Sequence, residues 1–82
     1  MRSQGYAMYD PANNRLEILR PGENCTRYIS CTNLNTNSDK VFGLHIDGDE
    51  IWVQVGPLQN QRPNREIGYR FSSLTGGHGR SL

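Results

Sequence analysis

The chain has little of what most catalytic, membrane-spanning or nucleic-acid-binding proteins display. No run of eighteen apolar residues occurs in its 82 residues, so no segment is a candidate membrane-spanning helix. The first ten residues, MRSQGYAMYD, lack the apolar stretch of a secretion signal. Together these absences lead to an expected cytoplasmic or virion-associated location. Lysine occurs once, at position 40, and nine basic residues are balanced by eight acidic ones, leaving a formal charge of +1. So neutral a chain gives no electrostatic reason to expect nucleic acid or an anionic membrane as partner. Histidine occurs only at His45 and His78, and there is no CxxC or HxxxH spacing of the kind zinc sites use. Alanine is nearly absent, and no window carries apolar residues at i, i+3, i+4 and i+7, so little or no helix is expected.

Apolar content is also low, at 34%. Disorder, however, needs low hydrophobicity together with high net charge. The expectation is a single folded β-rich domain over residues 1–82 with long polar loops, a possible N-terminal arm at 1–5 and a Gly-rich C-terminal tail at 72–82. A domain of this size buries only about 60% of its unfolded surface and often leans on a staple or a partner.

What is present is organised around Val41 to Val55, VFGLHIDGDEIWVQV, the most apolar stretch. Alternate strand side chains point to opposite faces. Phe42, Leu44 and Ile46 therefore share a face, and Ile51, Val53 and Val55 form a second apolar row after the turn at Asp47-Gly48-Asp49. Two turn registers are plausible. The favoured one pairs Ile46 with Ile51, Leu44 with Val53 and Phe42 with Val55, apolar with apolar throughout. These six residues are the expected core hairpin. Val41, Gly43, His45, Trp52 and Gln54 fall on the opposite face, where a solvent-facing Trp52 is a candidate contact residue.

The rest of the chain reads as short strands between turns. Gly5 to Asp10 and Arg15 to Arg20 flank Asp10-Pro11-Ala12-Asn13-Asn14, a turn by the chemistry of Pro and Asn. Cys25 to Asn33 is a polar third strand, its core face being either Cys25, Ile29 and Cys31 or Thr26, Tyr28 and Thr32. Arg65 to Phe71 is the last, with Ile67, Tyr69 and Phe71 on one face. Six short strands at roughly ten-residue spacing predict an all-β fold, a small antiparallel sandwich or partly open barrel.

The candidate chemistry is sparse. Asp47, Asp49 and Glu50 near His45 offer oxygen ligands, but their spacing is not that of a calcium loop, and acidic residues suit hairpin turns. Cys25 and Cys31, six apart in one extended strand, stand about 20 Å from each other at about 3.3 Å per residue, too far for a disulfide, so two reduced thiols are expected. Either paired with His45 is a formal nucleophile, yet a strand Cys is usually an inert small hydrophobe. Gly76-Gly77-His78-Gly79-Arg80 lacks the Lys and the helix of a phosphate-binding loop. Arg27, Arg62, Arg65 and Arg70 with Tyr28, Tyr69 and Trp52 sketch a groove for single-stranded nucleic acid, weakly, because the acidic residues cancel the basic ones. Asn24-Cys25-Thr26 is a glycosylation sequon best ascribed to chance.

Tyr6, Met8 and Tyr9 either complete the protein's own sheet or pack on another subunit, since Tyr and Met are enriched at interfaces. With Trp52 and with Arg80 from the tail, they make up the candidate partner contacts. No catalytic residues, metal or cofactor are expected. The function expected from these features is protein–protein contact within a larger assembly, as partner-bound or homo-oligomeric protein, with a viral or phage structural or decoration protein its most concrete form. A small inhibitor or adaptor of one host protein is the alternative, followed by a single-strand-binding barrel.

Overall fold

The alternating pattern resolves into seven strands, with no helix among the described residues. The computed structural model describes residues 4–72 and 78–82. Residues 1–3 of the expected arm and 73–77 of the expected tail, the Gly76-Gly77 pair included, lie outside them. Strands β1 (Tyr6–Asp10), β2 (Arg15–Leu19) and β3 (Arg27–Ser30) form one antiparallel sheet in that order. Strands β4 (Asp39–Asp47), β5 (Glu50–Pro57), β6 (Arg65–Arg70) and β7 (His78–Ser81) form a second, also in chain order. The two sheets stay open and share one core; they do not close into a barrel.

Local chemistry sets the first hairpin. Asp10 accepts hydrogen bonds from the Ala12 N–H at 3.0 Å and the Asn13 side-chain amide at 2.8 Å, and Asn14 takes the left-handed backbone at φ 49. Asn tolerates that region better than most residues. The Asn13 amide, the backbone donors and the Arg15 guanidinium hold the Asp10 carboxyl below the usual carboxylate range. Leu16 then faces Tyr9 on one side and Ile29 on the other, while Ile18 faces Ala7. Leu16, Ile18, Ile29, Cys31 and Leu34 are the first sheet's share of the core.

The second sheet supplies Ile51, Val53, Val55, Ile67 and Tyr69. Its hairpin pairs Ile46 with Ile51, Leu44 with Val53 and Asp47 with Glu50, leaving Gly48-Asp49 as a two-residue loop. Gly48 takes φ 60 at the first loop position, where a type II′ turn wants glycine. The register then shifts between Val41 and Gly43. A bulge inserts one residue and reverses which side chains face inward beyond it. Val41 rather than Phe42 therefore lies opposite Val55 and packs against the core. Phe42, expected inside, is half-buried against Gly56, with the Lys40 ammonium 4.9 Å from its ring centre. Ile46 shares the core row but is 53% exposed, because it stands on the edge strand one residue short of the loop region.

Two further expectations are corrected. The third strand is only four residues long, and Cys25 lies outside it and exposed, while Ile29 and Cys31 are buried. The tail contributes a strand: β7, sequence HGRS, pairs along β6 from Arg65 with Ser81 to Gly68 with His78. It has no apolar side chain, so it leaves no alternation to read.

Candidate interaction surfaces

The first sheet has one buried face and one open face. On the open face, Met8, Glu17 and Tyr28 stand side by side across β1, β2 and β3. Tyr6 and Leu19 form the next row, and Asp10, Arg15 and Ser30 the row beyond. Tyr6, Met8 and Tyr28 are 43%, 50% and 45% exposed. Two contacts fix the aromatic rings in place. The Arg15 guanidinium lies 4.0 Å from the Tyr28 ring centre while reaching Asp10 at 3.4 Å, and the Tyr6 and Thr26 hydroxyls share a 3.3 Å hydrogen bond. Pre-set aromatic side chains lose little conformational freedom on contact. Glu17 is ion-paired with nothing among the described residues, so the patch is apolar and aromatic around one carboxylate.

Of the residues singled out from sequence, Tyr6 and Met8 belong to this face and Tyr9 does not. Tyr9 points inward, packs against the core and donates a 2.7 Å hydrogen bond to Asn14 Oδ1. The structure adds Arg15, Glu17 and Tyr28. Their sequence signal is the alternation itself: Arg15 and Glu17 flank Leu16, and Tyr28 precedes Ile29.

Trp52 and Arg80 meet on the outer face of the second sheet, where Arg80 is exposed and Trp52 is not. Trp52 is 5% exposed, although its face carries no second layer. Three neighbours cover it. Gly68, beside it on β6, leaves a gap that the indole fills: a Cβ at Gly68 would lie 3.0 Å from Trp52 Cζ3 and Cη2. The Arg80 guanidinium sits 3.7 Å from the ring centre, and the His78 ring meets it edge-on at 5.3 Å. Arg80 is held by two hydrogen bonds to one oxygen of the buried Glu66, from Nε at 3.2 Å and from a terminal nitrogen at 3.0 Å. His78 Nε2 lies 3.7 Å from Glu50 Oε2. Trp52 is thus the floor under β7.

The remaining candidates do not converge on chemistry. Asp47, Asp49, Glu50 and His45 form no metal-holding group, and no cluster of three or more such ligands occurs among the described residues. Cys25 and Cys31 are both free thiols, one exposed and one buried. Burial pushes the Cys31 thiol up, and it pushes the Tyr69 phenol far up, with the neighbouring thiol adding to the effect. That is the profile of an inert core pair and the opposite of an activated nucleophile. Of the three aromatics in the sketched nucleic-acid groove, Tyr69 is wholly buried and Trp52 lies under Arg80, which leaves Tyr28 open. An open groove of about 540 Å³ runs beside β4, lined by Tyr9, Pro11, Val41, Phe42, Leu44 and Leu58 among others. No protein-family model, curated protein or solved structure matches the chain.

Proposed function

We propose that this protein is non-catalytic and works through protein–protein contact within a larger assembly, using the open face of the β1-β2-β3 sheet. The observation that supports this is the cluster of Tyr6 and Met8 on β1 with Tyr28 on β3, all exposed on one face of the sheet, with the aromatic side chains already held by Arg15 and Thr26. Interfaces are enriched in Tyr, Met and Arg and depleted in Lys, Glu, Asp and Ser, so Glu17 is the exception in an otherwise interface-like set. Buried aromatic anchors carry most of their binding energy. A virus or phage particle component, structural or decorating, is the most concrete form of this role. The partner's complementary patch is apolar with a cation opposite Glu17.

Light scattering of the native chain with the proteins it is made alongside tests this. Association is expected, and the double variant Met8→Lys/Tyr28→Glu should abolish it without unfolding the chain, since both side chains are already half in solvent. A chain that stays strictly monomeric in every such mixture would refute the proposal.

A further inference from the structure

The seventh strand is bound to the domain in the way a peptide ligand is bound. All four of its residues are exposed and none belongs to the core cluster, although His78 and Arg80 cover Trp52 and Glu66. It adds to the free edge of β6 by backbone pairing and is recognised through alternate side chains, His78 and Arg80, on one face. This is how extended peptides dock on sheet edges. The receptor surface is specific: Trp52 beneath the guanidinium, Glu66 accepting from it, and Glu50 beside the imidazole. Release of β7 leaves the core cluster intact and uncovers Trp52 and Glu66, and a β7 from another copy covers both again. Identical strands in neighbouring copies fit the vacated edge by construction.

We infer that β7 exchanges between copies of this chain, so that the β6 edge of one copy takes the C-terminal strand of another. If the protein acts through protein–protein contact, as proposed above, this names one partner: a second copy. The chain has the reach. Seven Cα-to-Cα steps separate Phe71 from His78 and span up to about 25 Å, comparable with the 24 Å and 21 Å short extents of the molecule. The recognition is also portable, because Arg80, Glu66 and Trp52 make the same contacts whether the strand comes from their own chain or another.

Charge-swapped full-length chains test the exchange. In E66R, a cation at position 66 faces Arg80; in R80E, Glu66 faces a new carboxylate. Each variant repels its own β7. In a 1:1 mixture, exchange restores opposite charges at both edges, so the weight-average mass should double relative to either variant alone. A second pair does not depend on tolerating a buried charge reversal. The hydrogen bond from Leu82 N–H to the Asn64 carbonyl marks Arg65 and Ser81 as a non-hydrogen-bonded pair, with Cα atoms about 4.5 Å apart, within disulfide range. Single variants Arg65→Cys and Ser81→Cys, both in a Cys25→Ser background, are mixed under oxidising conditions. A covalent heterodimer is expected. A heterodimer in either experiment supports exchange, and its absence from both overturns it. If the native chain still associates in that case, through a surface that Met8→Lys/Tyr28→Glu disables, the contact function stands without strand exchange.

Discussion

Replacing Gly68 with alanine gives a test whose sign separates two accounts of the Trp52 face. Gly68 has no positive φ, so its backbone accepts any residue. With space above it, Gly68→Ala would stabilise the protein by about 0.4–1 kcal/mol, because alanine has less freedom to lose on folding. The space is taken: the new Cβ would stand 3.0 Å from two indole carbons and from Glu50 Oε2. The carboxylate can swing aside, but the indole is held between Arg80 and His78. Overpacking of this kind costs about 1–3 kcal/mol. The net expectation is a loss of about 0.5–2 kcal/mol after the unfolded-state gain. At about 4–8 °C per kcal/mol, Tm should fall by roughly 2–16 °C. Thermal unfolding followed by circular dichroism measures this. Gly79→Ala is the control, since its Cβ would meet only ordinary contacts at 3.6 Å and 4.0 Å. Adding Trp52→Leu should recover the loss, as expected for residues in contact. A Gly68→Ala protein as stable as the native chain, or more stable, would show that Trp52 is not packed on Gly68.

Two further predictions concern the core. Ile51 and Ile46 are cross-strand partners, yet Ile51 is fully buried and Ile46 is 53% exposed. Ile51→Ala should cost about 2–5 kcal/mol and Ile46→Ala well under half of that in urea unfolding; equal costs would contradict the burial assigned to the hairpin end. The second prediction is alkaline lability. Cys31, Tyr69 and Tyr9 ionise less readily when folded than at their ordinary values of 9.0, 10.0 and 10.0. Above 9.0 the unfolded chain therefore holds fewer protons than the folded one. The stability from keeping these groups neutral is present below that pH and lost as pH rises through the folded values. The urea midpoint should be level from neutral pH to 9.0 and then decline, and Cys31→Ala should delay the onset towards the tyrosine range. A midpoint that holds through that range would contradict it.

The parts of the fold that were legible in the sequence are those set by period-two alternation. The absence of helix, the Ile46–Ile51 register and the buried row of Ile51, Val53 and Val55 all follow from side chains alternating against short turns. Three things were not legible, each for a physical reason. The bulge at Phe42 exchanges the roles of positions 41 and 42; Gly43 is its one sequence hint, and a strand glycine also serves to admit a close neighbour. Strand β7 has no hydrophobic pattern, because its pairing rests on Gly68, Glu66 and Trp52, far from it in the chain. Trp52 was expected in solvent because its face has no covering layer, and only the arrival of Arg80 and His78 changes that. For the contact surface, the sequence pointed to Tyr6 and Met8. It could not show that Glu17 and Tyr28 join them, because that depends on the strand order of the sheet.

Asn14 carries a consequence for how freely this chain can vary. It takes a left-handed backbone, accepts from Tyr9, and donates to the carbonyls of Cys31 at 2.9 Å and Leu34 at 3.2 Å. Glycine would satisfy the backbone and lose all three bonds. Aspartate would keep the geometry but turn a carboxylate towards two carbonyl oxygens. Glutamine would keep the amide but place it one methylene too far out. The turn glycines at positive φ, Gly5, Gly22 and Gly48, are restricted by backbone alone, whereas Asn14 is restricted by backbone and side chain together. In any set of related sequences it should vary less than the exposed residues on the contact face.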